Sequence, residues 1–208
     1  LNCFREAMQY ISAAYYPASL VFYPMESNLG YRPGVSKEVL ACLDDEQVNV
    51  YRDLCNQLVM PGVANEKPDV VGISIGTQMQ LLAGLTFGKM IKETFPQIHV
   101  VVGGNVITRL QEDLAKQEQF FTDVFDSAIL YEGEHALLWL IEALNGERGI
   151  ASVPNLIYRD ASGIHRNPEV YTEKTTALPL PDFDGLPLDR YFVPELIIPY
   201  LATRGCYW

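Results

Sequence analysis

Three turns, each at the end of a predicted strand, carry the residues best suited to bind a ligand. They contain Ser74, Ile75, Gly76, Thr77 and Gln78 in the first, Gly103, Gly104, Asn105 and Val106 in the second, and Tyr131, Glu132, Gly133 and Glu134 in the third. Glycine has no side chain, so a bulky, flat or extended ligand can come close to the backbone at such turns. Tight strand-to-helix turns alone would explain the same glycines. On residue types, both interpretations stay open.

Common phosphate-binding and acid–base patterns do not account for these turns. No GxxxxGK[ST] loop occurs, and no GxGxxG fingerprint follows a predicted strand. A phosphoacceptor pocket needs clustered aspartates at strand ends, whereas Asp69 lies at the start of its strand. Glu132 and Glu134 could act as an acid–base pair. The simpler explanation is that carboxylates at a helix N-terminus are favoured by the helix dipole, by ~0.3–1 kcal/mol each.

Residues that could bind a metal are few and scattered. The three histidines occupy a strand, a helix start and a hairpin, without ligand-like partners: His99, His135 and His165. Three of the four cysteines are predicted to be buried thiols: Cys3, Cys42 and Cys55. The fourth cysteine, Cys206, follows a predicted strand. Composition alone does not indicate a function for it, because a lone cysteine after a strand is usually a core or surface thiol.

A strand–helix–strand unit must position the first two turns. Residues 68–75 form a nearly continuous apolar run bounded by Pro and Gly, which predicts a strand buried on both faces. The helical pattern that follows ends at Phe95-Pro96, and residues 98–102 form the next strand. A third strand, 125–130, leads into a helix, 135–144. Such units build a parallel sheet with right-handed crossovers, and ligands bind at the carboxyl ends of its strands.

The flanking segments predict further elements. Helical patterns lie at 2–16, at 36–43 with Ser36 as cap, and at 46–60, where Pro61-Gly62 should end the helix. A short strand is predicted at 19–23 and a loop at 27–34. Residues 155–166 form a hairpin, 178–187 a semi-rigid connector, and 195–203 a last apolar strand. We therefore expect a domain at 1–148, a hairpin and linker at 149–194, and the start of another domain at 195–208.

The composition excludes some classes of protein. The 208 residues are 49% hydrophobic, which suits a domain with a full-sized core. The net charge of -11 contains no basic run, so we expect no nucleic-acid binding. No signal peptide or bilayer-spanning run is present, so we expect no membrane insertion and a cytoplasmic location. Because Leu1 is not a natural start, we expect a piece of a longer protein.

The three turns, taken in order, resemble those of the cobalamin-binding branch of radical S-adenosylmethionine enzymes. The segments that carry the resemblance are Lys67-Pro68-Asp69-Val70-Val71-Gly72-Ile73-Ser74, Val101-Val102-Gly103-Gly104-Asn105 and Tyr131-Glu132-Gly133-Glu134. Arg204-Gly205-Cys206-Tyr207-Trp208 is similar to the start of the CxxxCxxC loop of these enzymes. The resemblance spans about residues 50–208. It implies a Rossmann-like (flavodoxin-like) α/β domain, a hairpin extension and the first strand of a truncated radical barrel.

The resemblance also implies cofactors and a reaction. A corrinoid would lie across the strand ends, with its nucleotide tail beside Ser74, Gly76, Gly103 and Gly104. Cys206 would be one of three thiolates that hold a [4Fe-4S] cluster, which binds S-adenosylmethionine. The DxHxxG motif of methionine-synthase-type carriers does not occur in these residues. This fragment alone should bind but not catalyse.

The expected activity of the whole protein is C-methylation of an unactivated carbon, although some relatives rearrange or cyclise instead. Its partners would be its own C-terminal radical barrel and a small-molecule or peptide substrate. The segment 181–191, followed by Arg204-Gly205-Cys206-Tyr207-Trp208, is similar to that of radical enzymes that mature ribosomally made peptides. Two alternatives stay open: a corrinoid carrier or sensor without radical chemistry, and an α/β nucleotide-sugar-type binding domain without cobalamin.

Overall fold

A computed structural model describes residues 2–21, 26–191 and 195–198 of this protein. The chain divides into two compact units, Leu1–Tyr171 and Thr172–Trp208. The sheet and all three predicted turns belong to the first unit. Among the described residues of the second unit, regular structure is limited to the 3-10 turns Thr175–Ala177 and Leu188–Arg190.

The first unit alternates helices and strands along the chain. Its described helices are α1 (Asn2–Ala14), α2 (Ser36–Asp44), α3 (Val50–Leu54), α4 (Met60–Glu66), α5 (Leu81–Thr94), α6 (Asn105–Arg109), α7 (Gln111–Leu114), α8 (Glu118–Asp123) and α9 (Glu134–Leu144). Its described strands are β1 (Ser19–Val21), β2 (Glu26–Asn28), β3 (Val70–Ser74), β4 (His99–Gly103), β5 (Ser127–Ile129), β6 (Leu156–Asp160) and β7 (Gly163–Arg166). A π-helical turn and two 3-10 turns complete it: Cys55–Val59, Gln78–Gln80 and Ile150–Ser152.

Five of these strands form one sheet in the order β3-β4-β5-β6-β7. The first three are parallel, and the hairpin β6–β7 continues the sheet antiparallel to β5. The predicted α/β, Rossmann-like class is confirmed, with helices on both faces of the sheet. The sheet is mixed because the hairpin, expected as an extension, adds two antiparallel strands to it.

The two faces of the sheet have separate cores. On β4, Val100 and Val102 face the larger core, which includes Phe125 and residues of α5 and α8. Val101 points to the opposite face and packs with Leu140 of α9. This alternation follows from the two-residue period of a strand. The predicted strand at 98–102 is therefore an interior strand of the sheet, with both of its faces covered.

The first predicted strand is less buried than expected. In the described sheet β3 is an edge strand, with β4 as its neighbour. Gly72 and Ser74 are exposed, whereas Val71 and Ile73 are half-buried against the larger core. The prediction of burial on both faces was wrong, because within the described residues only Val70 is packed on the face opposite the larger core, and Gly72 and Ser74 are exposed.

The helix predicted to end at Pro61-Gly62 instead continues to Glu66. A π-helical turn precedes α4, so Pro61 falls in the first turn of a new α-helical segment. A proline is tolerated there, because its missing N–H would have no helical partner. Ser36 is also not the predicted cap of α2: Val35 holds that position, without a side-chain hydrogen bond.

The N-terminal segment differs from the sequence expectation at two points. Part of the predicted loop forms β2, which pairs antiparallel with β1. Cys3 is exposed rather than buried, because no residue of α1 is buried. Of the strand predicted at 195–203, the described residues 195–198 are irregular, and the rest lies outside the described part. No helix within the described ranges is long and apolar enough to cross a bilayer.

Candidate functional site

The carboxyl ends of β3 and β4 are joined by backbone hydrogen bonds. Ser74 lies opposite Gly103 in the parallel register. Just beyond it, the Ile75 N–H donates to the Gly103 carbonyl at 2.7 Å, and the Ile75 carbonyl accepts from the Val106 N–H at 3.2 Å. The first and second turns therefore form one continuous piece of backbone at this edge of the sheet.

Gly104 is required for this close contact. Its φ is +102°, a conformation that side chains rarely adopt, and an added Cβ would lie 2.6 Å from the Ile75 carbonyl oxygen. The space beside Gly104 is thus filled by the backbone of the first turn. The contact between the turns is sufficient to explain a glycine at this position, without the clearance for a cofactor that the resemblance implies.

Gly76 and Gly103 border more open space. A Cβ on Gly103 would meet the Ile129 carbonyl oxygen at 3.4 Å, which is an ordinary contact. A Cβ on Gly76 would have one neighbour within 4 Å, the Gln80 Oε1 atom at 3.6 Å. The exposed backbone of the first turn can therefore be approached by a large flat ligand.

Gln80 organises the first turn, although the sequence interpretation did not include it among the site residues. Its Oε1 accepts the N–H groups of Gly76, at 2.9 Å, and Thr77, at 3.0 Å. Thr77 and Gln80 form a capping box, so the Thr-x-x-Gln spacing was the available signal. Because these two N–H groups already have an acceptor, the first turn is not an open phosphate-binding loop.

The third turn follows β5, the neighbour of β4. Tyr131 has a left-handed φ of 57°, and its N–H donates to the Thr108 Oγ1 atom at 2.7 Å. The Glu132 carbonyl accepts from the Asn155 side chain at 3.1 Å. Glu134 lies in the first turn of α9, where the helix dipole favours a carboxylate, whereas Glu132 precedes that turn.

The predicted site residues divide by exposure. Those whose side chains or backbone are exposed at this edge are Ser74, Gly76, Thr77, Gln78, Asn105, Tyr131 and Glu134. Gly103, Gly104, Glu132 and Gly133 are half-buried. Ile75 and Val106 are buried, and Ile75 packs towards Gly84 of α5. The edge is thus lined by backbone and by polar side chains over an apolar base.

Two cavities adjoin the first turn. One of about 650 Å³ is lined by Gln78, Met79 and residues of the N-terminal hairpin and loop, including Arg32. The Arg32 guanidinium is paired with Glu38, so its charge is largely compensated. A second cavity of about 530 Å³ is lined by Thr77, Met79 and Gln80, together with apolar residues of α1 and α3.

The described residues do not form a metal site. Within 2–21, 26–191 and 195–198, no three His, Cys, Asp or Glu side chains are grouped to hold an ion. Burial raises the pKa of the Cys42 thiol to about 12 and that of Cys55 to about 11, so both are inert thiols. Cys206, the predicted cluster ligand, lies outside the described residues.

Comparison with known proteins places the chain beside methyltransferases at low identity. No family model matches the chain. It is 26% identical over 171 residues to a protein of Pyrococcus horikoshii named "Uncharacterized methyltransferase PH0819", covering 78% of this chain and 36% of that relative. The chain thus spans about a third of the curated relative's length.

Two similar solved structures are radical enzymes. The cobalamin-dependent S-adenosylmethionine radical enzyme OxsB, with aqua-cobalamin and S-adenosylmethionine bound, has a TM-score of 0.46 at 20% identity, over 59% of this chain and 16% of OxsB. The radical S-adenosylmethionine methyltransferase TsrM from Kitasatospora setae has a TM-score of 0.45 at 19% identity, over 58% of this chain and 22% of TsrM.

Proposed function

We propose that this chain is the cobalamin-binding part of a radical S-adenosylmethionine methyltransferase. The observation that carries the proposal is the joined edge of the sheet, where the turns after β3, β4 and β5 leave backbone and polar side chains exposed. The order of the three motifs in the sequence supports it, as does the methyltransferase named among the relatives. A C-methylation of an unactivated carbon is the finer form of the proposal. A peptide substrate is a still finer form, which comes from the resemblance of residues 181–191 and 204–208 alone.

The residues at this edge fit a corrinoid. Gly76 leaves open space beside the first turn, and no side chain of Gly103 stands over the second. The amide groups around a corrin ring need hydrogen-bond partners, which Ser74, Thr77 and Asn105 would supply. Glu134 would add a carboxylate acceptor at the third turn. The apolar base under the edge, formed by Ile75 and Val106, keeps water out from below.

The part of this chain in the reaction is binding and orientation. The chemistry that bound cobalamin supplies is delivery of a methyl group to a carbon centre, while the protein places the cofactor and excludes water. Hydrogen bonds between the first two turns hold the edge in one shape before a ligand arrives.

One structural observation disfavours the nucleotide-sugar alternative. Such a ligand needs free N–H groups for its phosphates, usually at a turn before a helix. In the first turn the N–H groups of Gly76 and Thr77 already donate to Gln80. A carrier or sensor without radical chemistry would bind a corrinoid at the same edge. An assay of the whole protein with S-adenosylmethionine distinguishes the two, because only the radical enzyme would consume it.

The proposal is tested by titrating the purified protein with hydroxocobalamin and following its visible absorption bands. We expect a saturable shift for the natural chain, and binding weakened at least about tenfold, or about 1.4 kcal/mol, by Gly76→Leu. Gly149→Leu is the matched control, because Gly149 is also exposed, has no neighbour within 4 Å and lies beyond the C-terminal end of α9, whereas the third turn lies at the N-terminal end of that helix. The proposal is wrong if the absorption bands do not shift with the natural chain, or if Gly76→Leu binds hydroxocobalamin as tightly as the natural chain does.

A further inference from the structure

Tyr131 has a backbone conformation that needs outside support. Its φ of 57° lies in the left-handed region, which a residue with a large side chain seldom occupies. Such residues persist where surrounding contacts hold them, and they cluster at functional sites. Tyr131 is the first residue of the third turn, directly after the buried Leu130. Its conformation decides the direction in which the next residues, Glu132 to Glu134, leave the sheet.

The support comes from the helix that follows the second turn. The Oγ1 atom of Thr108, in α6, accepts the Tyr131 N–H at 2.7 Å. Gln111, at the start of α7, accepts the Tyr131 hydroxyl at 3.0 Å. The N-terminus of α6 is in turn tied to the first turn, because the Val106 N–H donates to the Ile75 carbonyl. A continuous series of hydrogen bonds therefore connects all three turns.

The opposite side of the third turn is held by Asn155. The Asn155 residue is 2% exposed, and its backbone φ of 60° is also in the left-handed region. The backbone carbonyl of Asn155 accepts the Leu130 N–H at 2.8 Å, and the side-chain amide donates to the Glu132 carbonyl at 3.1 Å. Asn155, the residue before β6, thus fixes the base of the third turn, whereas Thr108 holds the backbone of that turn from the helix that follows the second turn.

We propose that Thr108 is a positioning residue for the corrinoid site. Its hydroxyl oxygen holds the third turn in register with the second, so that the three turns present one surface to the ligand. This inference rests on the proposed function, and Thr108 itself need not contact the cofactor. Thr108 is half-buried, so the replacements Thr108→Val and Thr108→Ser separate its shape from its hydroxyl group.

Two measurements on the purified chain test the proposal. With hydroxocobalamin as probe, Thr108→Val should raise the Kd about five- to tenfold, at most about 1.4 kcal/mol, because the turn loses the net value of one hydrogen bond. Thr108→Ser should stay within about twofold of the natural chain, since the acceptor is kept. Without the probe, hydrogen exchange should accelerate at Tyr131 and Glu132 in Thr108→Val and stay unchanged along β4.

The outcomes separate the two levels of inference. If the natural chain does not bind hydroxocobalamin, the proposed function fails, whatever the variants do. If it binds, but Thr108→Val binds equally well, or Thr108→Ser loses as much affinity, the positioning role is overturned. Unchanged exchange at Tyr131 in Thr108→Val would overturn it too, and this readout does not depend on the cofactor.

Discussion

A pair of neighbouring glycines offers a sharp test of the geometry at the edge. In Gly104→Ala the new Cβ would lie 2.6 Å from the Ile75 carbonyl oxygen and 2.7 Å from its carbon, at a φ of +102°. Backbone atoms cannot rotate away as a flexible side chain can. Backbone strain of about 1–3 kcal/mol and overpacking of about 1–3 kcal/mol together predict a loss of roughly 2–6 kcal/mol in the free energy of unfolding.

The matched replacement is Gly103→Ala, one residue earlier. Its Cβ would lie 3.4 Å from the Ile129 carbonyl oxygen, and its φ is not in the left-handed region. We expect a change within about 1 kcal/mol. In urea-induced unfolding, with a slope of about 2 kcal/mol per molar, the midpoint should fall by about 1–3 M for Gly104→Ala and by no more than about 0.5 M for Gly103→Ala. Equal midpoints would refute the assigned contact between the first two turns.

Further predictions concern other parts of the first unit. Asp126→Ala should lower the free energy of unfolding by about 2–3 kcal/mol in urea titrations, because Asp126 pairs with Lys92 at 2.7 Å and accepts the N–H of the buried Val100; a loss under about 0.5 kcal/mol would contradict this. Burial is the main cause that lowers the pKa of His99. The negative charge of Asp126 acts in the opposite direction, the positive charge of Lys92 also lowers the pKa, and the net effect is a lowered pKa. The unfolded chain then binds the proton more readily, so stability should fall as pH drops below the ordinary value of 6.5, and His99→Gln should flatten that dependence. Iodoacetamide at pH 8, followed by peptide mass spectrometry, should label the exposed Cys3 and leave Cys42 and Cys55 unmodified in the native protein.

Sequence patterns correctly predicted those parts of the fold that are determined by residues close together in the chain. The apolar run at residues 98–102 was predicted to be the next strand, and the structure places it as β4, between β3 and β5 in the sheet. Phe95-Pro96 correctly marked the end of α5, which stops at Thr94. Local chemistry alone was sufficient in these two cases.

Neighbours distant in the chain decided the features that the sequence did not reveal. Val70–Ser74 reads like a central strand, yet its exposure depends on which strands lie beside it. A π-helical turn shifted the helical register before Pro61, and no residue pattern announced that shift. At the site, the three turns were predicted, but the contacts that hold the third one were not. Thr108 and Asn155 are 23 residues from the backbone groups of the third turn that they bind, so periodicity could not connect them.

The most direct test of cobalamin binding at the carboxyl ends of β3, β4 and β5 is hydrogen–deuterium exchange of the natural chain with and without hydroxocobalamin. Joint protection is predicted at residues 74–78, 103–106 and 131–134, with little change in the hairpin strands β6 and β7. Protection confined to one turn, or located away from all three, would contradict a corrinoid that lies across them.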